Sequence, residues 1–200
     1  MMNNCIFASH CTEQICDKSC PIYSETSYLL ERNNIQINNP VFNTDYKDIE
    51  KASLILKKSE GTMKVVITDE HTNAVANLLT YCSICENWQG SRLHCNVYNL
   101  KFGQHVDAIQ KSWNVKAASD SLEYEQIWCQ TAKILIISSI EYVQFKDFQA
   151  QTLLNLINNR KNDGLTTIVV SPTIDSLIGG GAFYHRMKLI LEQKGTVITW

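Results

Sequence analysis

No apolar run in this chain of 200 residues approaches the roughly 20 residues needed to cross a bilayer. The first residues are polar and cysteine-bearing, without a charged stretch leading into an apolar one, so no signal peptide is expected and the expected compartment is the cytoplasm. An excess of basic charge is also missing. Lys and Arg number 18 against 20 Asp and Glu, for a formal net charge of −2 and an isoelectric point near 6.2. Such a surface has no overall field for sequence-indifferent nucleic-acid binding, although a local basic strip can still act. Paired catalytic carboxylates, H-E-x-x-H, G-x-S-x-G and a Cys–His arrangement are all absent, which removes the enzyme classes built on them. There is no internal repeat and no low-complexity tract. The residues present suit a globular core: 44% are hydrophobic and 19% charged, enough for one medium domain or a main domain with a small appendage.

The eight cysteines are unevenly placed. Cys5, Cys11, Cys16 and Cys20 fall within the first twenty residues. In a reducing compartment such clustering favours a metal over disulfides. Thiolates hold zinc tetrahedrally, and short loops between ligands keep the entropy cost of closure low. The spacing C-x5-C-x4-C-x3-C is not the usual pair of C-x2-C knuckles, and His10 can replace one sulfur. Free thiols on a tail are the competing reading. A segment this short has too few apolar residues to fold unaided, which favours zinc. Cys82, Cys85, His94 and Cys95 form a second cluster. Its cysteines read as helical and its last two residues as the start of a strand, where neighbours point to opposite faces. Buried cysteine acting as a small hydrophobe is the expectation there.

Pro21 to Ile37 reads as mostly helical, and Asn33, Asn34, Asn38, Asn39 and Pro40 break it. A boundary near Asn39 divides a cysteine-rich module with its helix (1–39) from an α/β domain (40–200). A second helix is expected from about Asp45 to Lys58. From Lys64, strands and helices alternate. Expected strands are 64–68, 93–100, 133–137, 166–171 and 196–200; expected helices are 73–88, 104–113, 148–159 and 183–193. Residues 117–125 read as a polar segment leading to Trp128. Near-continuous apolar strands alternating with helices imply a parallel sheet covered on both faces, a three-layer doubly wound fold.

In such a sheet, ligands bind beyond the carboxyl ends of the strands. The first strand runs into Thr68-Asp69-Glu70-His71-Thr72-Asn73-Ala74-Val75. Set against the phosphate cradle G-x-x-x-x-G-K-[ST], Thr68 and Asn73 stand for the glycines, Ala74 for the lysine and Val75 for the hydroxyl residue. Asp69 and Glu70 add negative charge where a triphosphate would bring more. The third strand ends in Ser138-Ser139, where an ATPase of this kind carries acids for magnesium and water. Serines cannot supply that charge and simply end a buried strand, and Glu141 falls in the next turn. Asn73, Ala74, Val75, Ser138 and Ser139 thus mark a degenerate nucleotide site.

Lys133 to Gly164, KILIISSIEYVQFKDFQAQTLLNLINNRKNDG, followed by LTTIVVSPT, resembles the AAA+ core of bacterial replicative helicase loaders and transposition helper ATPases. Leu156, Ile157, Asn158 and Arg160 match that family's helix pattern L-I-N-x-R. The resemblance implies a P-loop (AAA+) type of sheet, a sensor position at Ser171 or Thr173, and an arginine finger at Arg186 that would contact a partner's nucleotide. Some helicase loaders also carry an N-terminal zinc module, similar in kind to Cys5–Cys20. Every hydrolytic position departs from the family, which puts nucleotide binding in question and not the fold. Taken alone, Arg186 reads as a surface or salt-bridged arginine and Arg160 as structural, while Gly179-Gly180-Gly181 reads as a flexible loop. Lys57, Lys58, Lys111, Arg160 and Lys161 stand near expected turns, dispersed among acids as on a solvated face.

The function expected is a non-catalytic, helicase-loader-like adaptor in DNA replication or recombination, with zinc as cofactor. Its partner would be a replicative helicase or an intact AAA+ ATPase, with DNA contact as a further option and no membrane. The alternatives are an active ATPase with an atypical P-loop and a zinc-containing DNA-binding regulator.

Overall fold

A computed structural model describes residues 21–35, 46–57, 63–69, 71–87, 96–113, 119–143, 147–172 and 195–200. Two helices, α1 (Pro21–Arg32) and α2 (Tyr46–Lys57), precede strand β1 (Met63–Ile67). Then follow α3 (Thr72–Asn87), β2 (Val97–Lys101), α4 (Phe102–Ser112), α5 (Ser119–Thr131) and β3 (Ile134–Ser138). A 3-10 turn (Ile140–Tyr142), α6 (Asp147–Asn162), β4 (Thr166–Ser171) and β5 (Gly195–Thr199) complete the described elements.

The five strands form one sheet in the order β2-β3-β4-β1-β5, and every pairing is parallel. Val65 sits opposite Val169 on one side and Val197 on the other, which places β1 inside the sheet. Alternation along the strands sends side chains to two separate cores. Val66, Ile136, Ile168 and Val170 join Leu29, Leu30, Ile55, Leu79 and Ile84 on the face covered by α1, α2 and α3. Val65, Leu135, Ile137 and Val169 join Phe102, Val106, Leu153 and Ile157 on the face covered by α4 and α6, with Cys129 of α5. The expected α/β fold with helices on both faces is therefore present.

One element differs from its sequence reading: residues 119–131 form α5, overlapping the 117–125 stretch expected to be a polar segment leading to Trp128. Among its residues with described side chains, only Leu122 and Cys129 are buried, so it carries almost no apolar stripe. Tertiary support replaces periodicity. Tyr98 donates to Glu125 at 3.3 Å, and His105 lies 2.5 Å from the same carboxylate, tying α5 to β2 and α4.

Two helices end in the same way. Asn34 (φ 57°) and Gly164 (φ 69°) take the left-handed conformation after α1 and α6. Ile35 N–H then returns to Leu30 O at 2.8 Å, and Leu165 N–H to Arg160 O at 2.9 Å. These reverse bonds satisfy carbonyls that a helix end leaves open. The boundary expected near Asn39 lies outside the described residues, while Leu29, Leu30 and Ile35 pack in the same core as α2 and α3.

Arg160 is not on the solvated face that its neighbours suggest; it is fully buried. Its Nε donates to Thr167 Oγ1 at 3.0 Å and its Nη1 to Cys129 O at 2.8 Å. Its Nη2 donates to Ala132 O at 2.8 Å and Thr166 O at 2.6 Å. Burial pushes its pKa down to about 10, which leaves it charged at neutral pH. Arg160 is thus the clamp between α6, the end of α5 and the start of β4, in keeping with a structural role.

Candidate functional site

The carboxyl ends of β1, β2 and β3 open onto the first turns of α3 and α4. After β1 the chain turns sharply. Thr68 is buried and its N–H donates to Ser171 O of β4 at 3.1 Å, while Asp69 and His71 are exposed. The carbonyl of His71 accepts from Ala74 N–H at 2.8 Å and from Val75 N–H at 3.3 Å. Open N–H groups in a helix's first turn are what a bound phosphate would use. Here those of Ala74 and Val75 are already bonded.

Three of the five predicted site residues meet. Asn73 Oδ1 accepts from Ser139 Oγ at 2.8 Å and from Ser138 Oγ at 3.1 Å. The end of β3 therefore touches the start of α3 through neutral groups, where an ATPase would hold magnesium between an acid and a hydroxyl. The other two do not join that contact: Val75 is buried in the core beneath and Ala74 is exposed.

A fourth participant, Glu141, is not apparent from the sequence pattern. Ser139 adopts φ 60°, ψ 29°, a left-handed conformation uncommon for serine. That turn brings Glu141 back to the start of α3, where its carboxylate accepts from the Thr72 hydroxyl. A carboxylate at a helix N-terminus is favoured by the macrodipole. Its Oε2 is buried and meets no hydrogen-bond partner among the described residues. An acid two residues after Ser139 is the signal available in the sequence, but only the backbone reversal at Ser139 reveals its destination. The start of α3 thus meets the Glu141 carboxylate, and a triphosphate would meet like charge there.

Beside this contact, toward β2, lies a cleft of about 530 Å³ bounded by Asn73, Lys101, Ser139, Tyr142 and one side of α4. Its lining is mainly carboxamide and hydroxyl.

The remaining predicted positions are located as follows. Cys5, His10, Cys11, Cys16, Cys20, His94, Cys95, Thr173, the Gly179–Gly181 run and Arg186 lie outside the described residues. Cys82 is buried in the core on α3, as expected for a cysteine packing as a hydrophobe, whereas Cys85 is only half-buried. Among the described residues, no group of three or more His, Cys, Asp or Glu is placed to hold a metal ion, and no helix is long and apolar enough to cross a membrane.

Solved structures share this architecture. The structure of DnaA from Aquifex aeolicus bound to AMPPCP superposes with a TM-score of 0.53 at 9% identity, over 77% of this chain and 44% of that one. The replication initiator DnaA bound to AMPPCP and single-stranded DNA gives a TM-score of 0.53 at 9% identity, over 92% of this chain and 51% of that one. The chain therefore spans about half the length of these proteins. At this identity the likeness shows a shared parallel α/β fold and leaves activity open. No family profile matches the chain, and no curated protein does.

Proposed function

We propose that this chain is a replication-associated protein of AAA+ fold that acts as a non-catalytic adaptor, docking on other components without hydrolysing nucleotide. The observation that carries this reading is the contact of Ser138 and Ser139 with Asn73. Neutral side chains bond directly to one another across the gap that magnesium and phosphate would otherwise bridge. Ala74 stands in for the lysine, and the Glu141 carboxylate faces the helix start from the other side. The DnaA structures of like fold support the replication setting, and the one bound to single-stranded DNA supports DNA as a possible contact.

In this reading Cys5, Cys11, Cys16 and Cys20 hold zinc and build a contact module, and Arg186 reaches the nucleotide of an intact AAA+ partner or helicase. The protein works in the cytoplasm. Calorimetry of the purified full chain with ATP and magnesium, beside elemental analysis for zinc, tests the proposal. Stoichiometric zinc without ATP binding supports it, and a pull-down for a helicase or intact ATPase follows. Saturable ATP binding with turnover overturns it in favour of a working loader with an atypical P-loop.

A further inference from the structure

The cleft shares Asn73 and Ser139 with the degenerate nucleotide site and extends from them toward β2 and α4, while Thr68, Ala74 and Val75 take no part in its lining. One wall is a stripe of α4: Gly103, Val106, Asp107 and Gln110, spaced i, i+3, i+4 and i+7 and hence on one side of the helix. The facing wall is the turn after β3, with Ser139, Tyr142 and Val143, and Gln149 of α6 closes one end.

From this lining, the geometry points to a binding site for an uncharged nucleobase, presented either by a free nucleoside or by a base splayed out of a single strand. A cleft of about 530 Å³ falls within the range of small-ligand sites. Its charge is balanced, with Lys101 against Asp107, so a polyphosphate has no excess of cations to meet. Gln104 and Gln110 of α4 bring carboxamides, each with a donor and an acceptor, as the edge of a base requires, and Asn73 adds its Nδ2 donor, its Oδ1 being held by Ser138 and Ser139. Val106 and Val143 supply apolar surface between them. Tyr142, 68% exposed at the rim, presents a ring on which a base can stack. The inference concerns what the cleft binds and does not depend on the adaptor reading, which stands or falls on ATP turnover and partner capture.

The test uses the full chain and a plugged variant, Gly103→Leu. A Cβ at Gly103 would lie 3.6 Å from Ser139 O and from the Val143 side chain, in ordinary contact, so the first turn of α4 tolerates it. The longer side chain then occupies cleft volume. Calorimetry is run with adenosine, guanosine, cytidine and thymidine, and fluorescence anisotropy with a mixed-sequence single-stranded oligonucleotide. Thermal melting confirms that the variant folds. The expected result is saturable binding by at least one probe, weakened tenfold or more by Gly103→Leu and by Tyr142→Ala. Nucleoside binding marks a free ligand; oligonucleotide binding alone, lost on plugging, marks a base from a strand. Absence of saturation by every probe, or binding untouched by both substitutions, would overturn the assignment.

Discussion

The backbone N–H of Asn99 donates to Oδ1 of Asn33 at 2.8 Å, across the edge of the sheet. Among the described strands β2 pairs only with β3, so its outer side presents unpaired backbone groups. Two residues before Asn99 on the same side, Val97 O accepts from Arg32 Nη2 at 3.0 Å. The end of α1 thus satisfies the edge that would otherwise invite another strand. Asn99 continues the link inward, donating from Nδ2 to Asn77 of α3 at 3.0 Å.

Replacing Asn33 by Ala removes that acceptor and leaves a buried N–H without a partner. The expected cost is about 1–3 kcal/mol of folding stability. Urea denaturation measures it, and light scattering should show self-association of the variant at high concentration. An unchanged midpoint would mean that water replaces the asparagine at the edge.

Arg160 offers a larger effect. Arg160→Met keeps the volume and abandons the carbonyls of Cys129, Ala132 and Thr166 together with the Thr167 hydroxyl. We expect a loss of about 3–5 kcal/mol, the range for leaving a buried polar network broken. Arg160→Lys should recover only part of it, because one ammonium cannot reach the points that a planar fork spans. Wild-type stability in Arg160→Lys, read from thermal and chemical melts, would show that charge and not geometry matters.

Much of the fold is legible in the sequence, because KVVIT, KILII and TTIVVS are short apolar runs and each lies in or overlaps a buried strand. What escapes is non-local. Residues 119–131 hide a helix because its fixing contact, Glu125 with His105 and Tyr98, comes from other elements. Arg160 looks like one of several basic residues near a turn until carbonyls about thirty positions earlier close around it. At the candidate site, the poverty of Thr68–Val75 in glycine and lysine is plain from the sequence. The arrival of Glu141 at Thr72 depends on a single left-handed residue, Ser139, which no periodicity announces.

Restoring acids at the end of β3 tests whether the site is only two substitutions from activity. In Ser138→Asp combined with Ser139→Glu, the new carboxylates stand near Glu141 and still face Ala74 in place of a lysine. Phosphate charge remains uncompensated, so no magnesium-dependent ATP turnover is expected in a phosphate-release assay. Turnover by this variant would show that the loop after β1 can hold a triphosphate after all.

The described cysteines give a prediction for pH and reactivity. Burial, and secondarily the charge of Glu86, pushes the Cys82 thiol up from 9.0 to about 12. Burial, then Glu125, likewise raises Cys129, while nearby Arg160 pulls it down. Because the thiolate is the nucleophile, both residues should resist iodoacetamide at pH 8 in the native protein and react once it is unfolded. Half-buried Cys85 should be labelled sooner. The sign of the linkage follows from the raised values. Below about pH 9 the thiols are protonated in both states, and the native preference for the thiol is fully present. Between 9.0 and about 12 the unfolded chain loses the Cys82 proton while the native state keeps it, so stability falls as pH rises through that window. Cys82→Ala should flatten the decline at some cost in packing on α3. Peptide mapping of the alkylated protein and urea midpoints from pH 8 to 10.5 read both effects. Rapid native labelling of Cys82 would mean that α3 opens far more readily than its buried packing implies.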